Sequence, residues 1–177
     1  EDLLRIIKMG FKSNLMPNYE HLSSSDLTAV MHYIKTLAPR WRKDSAGTPI
    51  LIPSNPWSGK GAEAIAAGKR IYHGEAQCWT CHPGYLNVDE IQKIASPKPV
   101  SIRADIARSK LVKSDYGMLR SPSFKEDELV AVHSRDDLYR IIATGIPGTP
   151  MPSWTDSFSP KEIWALASYV ESLQKRD

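Results

Sequence analysis

The amino-acid sequence predicts an all-α protein with long loops. Apolar residues recur at three- and four-residue spacing in several segments, which is typical of amphipathic helices. No segment shows the convincing alternation of a half-buried β-strand. A helix–loop–helix pattern also occurs twice, once near each end of the 177 residues. Together these observations favour helices joined by loops over a fold built on a sheet.

An internal repeat relates residues 2–17 to residues 137–152 through a shift of 135 positions. The recurring residues are Asp2, Leu3, Arg5, Ile6, Ile7, Gly10, Met16 and Pro17, which return as Asp137, Leu138, Arg140, Ile141, Ile142, Gly145, Met151 and Pro152. After one further residue of shift, Ser23, Ala29, Tyr33 and Leu37 return as Ser159, Ala165, Tyr169 and Leu173. This ordered set indicates duplication rather than chance.

The helix ends of the second copy carry their own signals. Ser134 and Asp137 form a capping-box pattern, and Ser159 and Glu162 form another. Pro160 stands at the favoured first position of the closing helix. The apolar face of that helix is Ile163, Leu166, Ala167, Val170 and Leu173, and the matching face of the first copy is Leu27, Val30, Met31, Ile34 and Leu37.

A stretch with several prolines and no helical periodicity lies between the copies. We therefore divide the chain into a partial domain at 1–44, a linker at 45–58 and a second domain at 59–177. After the linker, a helix is predicted from Ser54 or Ser58 towards Cys78. Its shared face holds Ile65, Gly68, Ile71 and Tyr72. Two shorter helices are predicted over residues 90–94 and 105–111.

Charge and hydropathy exclude several classes of protein. The net charge of +3 is too small and too mixed for a nucleic-acid-binding protein. No run of about 18 apolar residues predicts a membrane helix. No basic and apolar leader follows Glu1, as an uncleaved signal peptide would require.

Cys78, Trp79, Thr80, Cys81 and His82 form the Cys-x-x-Cys-His signature of covalent c-type haem attachment. Two thiols three positions apart on one helical turn can reach the two vinyl groups on one edge of a porphyrin. The adjacent imidazole then lies beneath the iron and supplies a nitrogen ligand. The sequence therefore predicts one haem c, attached at Cys78 and Cys81.

Three other interpretations compete for this motif. A thioredoxin-like redox pair needs a βαβ context, which the sequence lacks. A structural zinc site needs further Cys or His ligands at short spacing, and there is no second Cys pair. Coincidence is the third, and it is disfavoured by the helix before the motif and the methionine loop after it.

The sixth iron ligand is predicted to be Met151. Haem with His and Met ligands is the usual electron-carrier arrangement. Pro150 and Pro152 restrict the backbone around Met151, and a short loop separates it from the closing helix. Met118 is the rival candidate. Met9 and Met31 fall in helical apolar patterns and are expected in the core.

Other residues are weaker candidates. Trp154 is expected either to line the haem edge, with its indole N–H near a propionate, or to pack as a core aromatic. The arginines considered for the propionates or for an ordinary surface role are Arg103, Arg108 and Arg120. The histidines without a partner pattern, expected on the surface or satisfied in the core, are His21, His32, His73 and His133.

The segments 68–82 and 134–173 resemble the class I c-type cytochrome family. The likeness rests on the sequence Gly-Lys-Arg-Ile-Tyr before the Cys-x-x-Cys-His motif, and on the methionine loop with its closing helix. The resemblance implies an all-α haem fold, an axial Met151 and periplasmic or otherwise extracytoplasmic assembly. It also implies that Gly68 and Tyr72 contact the closing helix, where Trp164, Ala165 and Tyr169 would supply the facing surface.

The first copy resembles only the second half of such a domain, because it has a methionine loop and a closing helix but no Cys-x-x-Cys-His. The repeat places Glu1 opposite Asp136, so the sequence opens inside a helix. We therefore expect the C-terminal part of a longer dihaem cytochrome, with a haem domain preceded by half of another. Met16 would ligate a second haem whose attachment motif lies outside this sequence. The alternative is a degenerate domain that has lost its haem, with Met16 in its core.

Electron transfer is the predicted function, since His82 and Met151 would fill both axial positions of the iron. We expect redox-protein partners rather than a small-molecule substrate, and no catalytic residues. The alternatives left open are a subunit or domain of a larger oxidoreductase and a haem peroxidase. A basic cluster at Arg40, Arg42 and Lys43 is either the solvated end of the linker or a docking patch for an acidic partner.

Overall fold

A computed structural model describes residues 2–11, 16–43, 49–95 and 99–174. Within these ranges lie six α-helices and one antiparallel hairpin of two strands. The helices are α1 (Asp2–Met9), α2 (Ser24–Thr36), α3 (Gly61–His73), α4 (Val88–Ala95), α5 (Arg135–Thr144) and α6 (Pro160–Leu173). The strands are β1 (Leu111–Ser114) and β2 (Gly117–Arg120), and 3-10 turns lie at Pro39–Arg42 and Cys78–Thr80.

The chain forms two compact units. The first comprises Glu1–Leu51 with Glu128–His133, and the second comprises Ile52–Asp127 with Ser134–Asp177. The division at 1–44, 45–58 and 59–177 stays a prediction. Glu1, opposite Asp136 in the repeat, lies outside the described residues.

In the first unit, α1 packs against α2, and Ile7 and Leu27 are buried. The Ser23 side chain caps α2 by accepting a hydrogen bond from the Asp26 N–H at 3.1 Å. After α1, the Phe11 N–H donates to the Met16 carbonyl oxygen at 2.8 Å. This hydrogen bond holds the Met16 backbone near the end of the first helix.

In the second unit, α6 packs against both α3 and α5. The contact between α3 and α6 is closest at Gly68, where a Cβ atom would lie 2.0 Å from the Ala165 carbonyl oxygen. Only glycine allows the two backbones to come so near. Tyr72 lies on the same face of α3, is buried, and its ring contacts that of Tyr169 edge-on at 5.4 Å. The contacts of Gly68 and Tyr72 with the closing helix that the resemblance implied are therefore present at Ala165 and Tyr169, whereas the Trp164 ring lies 4.8 Å from that of Tyr139 on α5.

Two tryptophans hold the segment before α3 against α6. The Trp57 indole N–H donates to the Lys161 carbonyl oxygen at 2.9 Å, and the Trp164 indole N–H donates to the Pro53 carbonyl oxygen at 3.0 Å. The Lys161 ammonium group lies 4.8 Å from the centre of the Trp57 ring, a cation–π distance. Pro53 and Trp57, which lie in the predicted linker, are thus hydrogen-bonded to α6.

The sequence-based elements are confirmed in the helices and wrong in part of the middle region. Both predicted capping boxes are present, at Ser134 with Asp137 and at Ser159 with Glu162. The helix predicted at 90–94 lies within α4, and α3 begins at Gly61 rather than at Ser54 or Ser58. Residues 105–111 form turns and the first residue of β1 instead of a helix, and the hairpin was not predicted.

Among the described residues, no helix is both long enough and apolar enough to cross a membrane.

Candidate haem site

The Cys-x-x-Cys-His segment folds into a single turn directly after α3. Gln77 adopts a left-handed conformation with φ of 45°, which reverses the chain before the turn. The Cys78 carbonyl oxygen then accepts hydrogen bonds from the Cys81 N–H at 3.2 Å and from the His82 N–H at 2.9 Å. The two cysteines are not joined in a disulfide. One turn therefore presents two thiols and an imidazole together.

The environment of His82 leaves one ring nitrogen available. Its Nδ1 lies 3.0 Å from the Pro122 carbonyl oxygen, which can only accept, so Nδ1 carries the hydrogen. The ring also stacks on Phe124 at a centroid distance of 4.6 Å. Burial lowers the pKa of His82, which favours the neutral imidazole. Nε2 therefore keeps a lone pair, in the tautomer that a metal-ligating histidine requires.

Met151 lies on a loop shaped by Gly145. This glycine ends α5 with φ of 66°, and a Cβ atom there would come within 2.5 Å of the Met151 carbonyl oxygen. The Ile146 N–H donates to that same carbonyl at 3.2 Å, and the Met151 N–H donates to the Thr149 hydroxyl at 3.2 Å. These hydrogen bonds fold the loop back on itself and fix the position of the Met151 backbone.

One cavity of about 470 Å³ brings these groups together. Cys78, Cys81, His82 and Met151 all line it. Its volume falls in the range of roughly 300–1,000 Å³ that is usual for cofactor sites. The apolar part of its wall is Ala76, Val112, Leu119, Pro122, Ile146, Pro150, Pro152 and Trp154. Free thiols, an oriented neutral imidazole, a thioether and an apolar wall are the donor set and surroundings that a covalently bound haem requires.

Arg103 supports the attachment turn from behind. Its guanidinium donates to the carbonyl oxygens of Trp79 at 2.9 Å, His82 at 2.9 Å and Asp105 at 2.7 Å. It also pairs with the Asp105 carboxylate at 2.9 Å, and it does not line the cavity. Sequence reasoning considered Arg103 for a propionate and missed this role, because backbone carbonyls leave no signal in the sequence.

The β1–β2 hairpin is the second feature that the sequence did not reveal. Val112 and Leu119, which face each other in the strand pairing, both line the cavity. At its base the Lys110 N–H donates to the Cys81 carbonyl oxygen at 2.9 Å. The turn residues Asp115, Tyr116 and Gly117 were the one available signal for a hairpin.

The remaining candidates divide between the cavity and the surface. Trp154 lines the cavity and also packs its ring 5.2 Å from that of the buried Phe158, so both interpretations of it have structural support. Met118, the rival ligand, is 62% exposed on β2 and does not line the cavity. Arg120 does line it and pairs with Asp127 at 2.7 Å. Arg108 is exposed.

The structure also shows the surroundings of the four unassigned histidines and of the basic cluster. His73 is fully buried with both ring nitrogens bonded, whereas His21 and His32 are exposed. His133 places Nε2 3.2 Å from the Gly10 carbonyl oxygen. Of the basic cluster, Arg42 and Lys43 are exposed, and the side chain of Arg40 lies outside the described part of the chain.

Met16 has a backbone environment that matches that of Met151. Gly10 has φ of 68°, and a Cβ atom there would come 2.4 Å from the Met16 carbonyl oxygen. The next residue, Phe11, donates its N–H to that carbonyl, as Ile146 does to Met151. Met16 is half-buried. The two methionine loops therefore share one hydrogen-bond pattern as well as one sequence pattern.

The structure does not support the two other functional interpretations of the cysteines, a redox pair and a structural zinc site. Burial raises the pKa of the Cys78 thiol to about 12, whereas a reactive redox cysteine has a lowered pKa. Within the described ranges, no group of three or more His, Cys, Asp or Glu side chains is arranged to hold a metal ion. Those residues do not supply the ligands of a structural zinc site.

The chain resembles known proteins in sequence and in fold. The family model described as cytochrome C oxidase, cbb3-type, subunit III matches residues 63–170, which include the attachment turn and the Met151 loop. The fold is similar to that of a chain from the reducing HAO-like protein complex of Kuenenia stuttgartiensis, with a TM-score of 0.67 and 23% identity. The alignment covers 98% of this chain and 71% of that chain. No curated protein matches the chain.

Proposed function

Because the chain belongs to the c-type cytochrome family whose model is described as cytochrome C oxidase, cbb3-type, subunit III, we propose that it is an electron-transfer cytochrome. In this proposal one haem c is attached through Cys78 and Cys81 and has His82 and Met151 as axial ligands. The observation that carries the proposal is the single cavity lined by both thiols, the imidazole and the thioether.

The bound haem would supply an iron that gains and loses one electron. The hydrogen bond from His82 Nδ1 to the Pro122 carbonyl oxygen fixes the ring and makes Nε2 a better donor. The Met151 thioether raises the reduction potential. With both axial positions filled by side chains, no position is left for a substrate, which favours electron transfer over a haem peroxidase.

The cavity wall contributes to the same function. Val112, Leu119 and Ile146 contribute apolar side chains to the cavity lining. Apolar surroundings of the haem would disfavour the more highly charged oxidised state and so tune the reduction potential. Among the described residues that line the cavity, Arg120 is the one Lys or Arg; it pairs with Asp127 and is the candidate partner for a haem propionate.

We also propose a second haem, ligated by Met16, whose attachment motif lies outside this sequence. This proposal is supported by the contacts of Gly10 and Phe11 with the Met16 carbonyl oxygen, which match those of Gly145 and Ile146 with the Met151 carbonyl oxygen. A duplicated ligand loop has a clear use if it binds a second haem, since a second haem adds a second redox centre. The alternative is that Met16 is only a packing residue.

Redox proteins are the proposed partners, and a larger oxidoreductase is the proposed alternative setting. The family description names an oxidase subunit, and the chain of similar fold comes from a protein complex. We also propose assembly in the periplasm or another extracytoplasmic compartment, because the resemblance to c-type cytochromes implies covalent haem attachment there.

Substitution of Met151 tests the ligand assignment. In the holoprotein, Met151→Ala should abolish the weak red absorption band that ferric iron shows with a methionine ligand, and should lower the reduction potential. It should also open the ferrous iron to carbon monoxide. Met118→Ala is the matched variant and should retain the band and exclude carbon monoxide.

The opposite result, in which Met118→Ala loses the band and Met151→Ala keeps it, would assign the ligand to Met118. Rapid peroxide turnover by the unmodified protein would instead favour the peroxidase alternative.

A further inference from the structure

The β1–β2 hairpin is hydrogen-bonded at both ends to segments that carry proposed haem ligands. At its base, the Cys81 carbonyl oxygen accepts from the Lys110 N–H at 2.9 Å and from the Ser121 hydroxyl. At its tip, the Asp115 N–H donates to the Gly148 carbonyl oxygen at 2.8 Å. Gly148 lies three residues before Met151. The hairpin therefore links the attachment turn to the methionine loop.

The tip makes a second contact with the same loop through a side chain. A Cβ atom on Gly148 would lie 2.8 Å from Cε2 of Tyr116, so the ring lies against the glycine backbone. Gly148 has φ of 76°, a conformation that other residues rarely adopt. The methionine loop thus approaches the hairpin tip at the one position where a side chain would prevent the contact.

The Ser114 side chain shapes the tip itself. Its hydroxyl donates to the Gly117 carbonyl oxygen at 2.8 Å and accepts from the Tyr116 N–H at 3.0 Å. These bonds close the turn and leave the Asp115 N–H free to reach the Gly148 carbonyl oxygen. A hairpin of two strands is only marginally stable alone. Its order therefore depends on what its two ends and its inner face contact.

Exposure along the hairpin agrees with anchoring at the ends. Leu111 and Met118, which share the outer face, are each 62% exposed. The inner residues Val112 and Leu119 line the haem cavity. The hairpin thus stands over the cavity, joined to one ligand segment at its base and to the other at its tip.

We propose that the hairpin is a strap that holds the Met151 loop closed, with Asp115 and Tyr116 as positioning residues for the sixth ligand. The inference rests on the proposed ligation by Met151. The two tip contacts stabilise the closed loop relative to one in which Met151 has left the iron. Weakening them raises the population of the open loop, and an external ligand that binds only the open loop reports that population.

The experiment measures the affinity of the ferric holoprotein for added imidazole. Asp115→Pro removes the N–H that bonds the Gly148 carbonyl oxygen, and Tyr116→Ala removes the ring. Each should tighten imidazole binding about two- to tenfold, the factor expected for one hydrogen bond or a comparable contact. The red methionine band should weaken in parallel. Leu111→Ala changes an equally exposed residue at the base of the hairpin and should bind imidazole like the unmodified protein.

Retained covalent haem and an unchanged far-ultraviolet circular dichroism spectrum show that a variant is folded. If Asp115→Pro does not fold, Tyr116→Ala alone decides. Unchanged imidazole affinity in the folded tip variants would overturn the strap, provided that Met151→Ala loses the methionine band. If Met151→Ala keeps that band, the ligand assignment itself has failed, and the two failures are thereby distinguished.

Discussion

Two histidines of the second unit, the buried His73 and the half-buried His82, differ in how their ring nitrogens are used. His73 donates from Nδ1 to the Lys69 carbonyl oxygen at 2.8 Å and accepts at Nε2 from the Tyr85 N–H at 3.2 Å. His82 donates from Nδ1 to the Pro122 carbonyl oxygen and lines the cavity, and no hydrogen bond to its Nε2 is found among the described residues. The first imidazole is satisfied by the protein, whereas the second has a lone pair to offer.

The burial of His73 predicts a pH-dependent stability. Burial lowers its pKa in the folded chain, so the unfolded chain binds a proton more readily. The stabilisation from the neutral ring is fully present above the unfolded value of 6.5 and is lost as the pH falls from there towards the lower folded value. The slope should reach at most about 1.4 kcal/mol per pH unit.

Urea unfolding of the holoprotein, followed by haem absorption at about pH 7 and about pH 5, measures this effect. His73→Gln should lower stability at the higher pH and show a smaller further loss at the lower pH. His32→Gln, at an exposed position, is the control. If His73→Gln and the unmodified protein lose the same unfolding free energy between the two pH values, His73 does not cause the pH dependence.

Sequence patterns predicted the functional residues that lie close together in the sequence. They missed the residues whose contacts are distant in the sequence. The two cysteines and His82 were predicted as haem-binding residues because a haem edge would set their spacing along one turn. Arg103 was misread because its partners are carbonyl oxygens of residues 79, 82 and 105, whose side chains carry no trace of the contact. The Pro122 carbonyl oxygen that accepts from His82 lies 40 positions away in the sequence, and it too could not be predicted.

At the scale of the elements, the crossing of α3 and α6 determines where the attachment turn lies. Gly68 lets α3 approach the backbone of α6, and α3 ends at His73, five residues before Cys78. The Trp79 indole N–H donates back to the His73 carbonyl oxygen at 2.9 Å. The turn is therefore fixed to the end of α3, whose position in turn depends on Gly68.

Gly68→Ala should strongly destabilise the second unit. The new Cβ atom would meet the Ala165 carbonyl oxygen at 2.0 Å and the Tyr169 Cβ at 2.7 Å, so the helices must separate. The expected cost is about 1–3 kcal/mol or more in the free energy of unfolding, measured with urea. Gly61→Ala, on the same helix with nothing within 4 Å, should be neutral or stabilise by up to about 1 kcal/mol.

A Gly68→Ala protein as stable as the Gly61→Ala protein would mean that α3 and α6 do not pack through this contact.

The helices were predictable because their ends carry short-range signals. The capping boxes located the first residues of α5 and α6 correctly, at Ser134 with Asp137 and at Ser159 with Glu162. The hairpin was missed because each strand has only four residues, and the second is exposed throughout. Its anchors, the carbonyl oxygens of Cys81 and Gly148, are distant in sequence and belong to loops.

At the scale of the whole molecule, the repeat is the feature with the widest consequence. The helix, methionine loop and helix of residues 2–36 return at 135–173 with the same glycine-to-methionine closure. The sequence alone predicted this duplication, since identical residues recur at a constant shift. It could not determine whether Met16 ligates a haem, because the other residues of such a site lie outside this sequence in the proposal.

The covalent haem at Cys78 and Cys81 is the central claim, and intact mass under denaturing conditions tests it most directly. The chain, produced in a host that matures c-type cytochromes, should be heavier than its sequence mass by one haem. The Cys78→Ala, Cys81→Ala double variant should have the bare sequence mass. An unmodified chain with the bare sequence mass, in cells that mature a control cytochrome, would contradict the account.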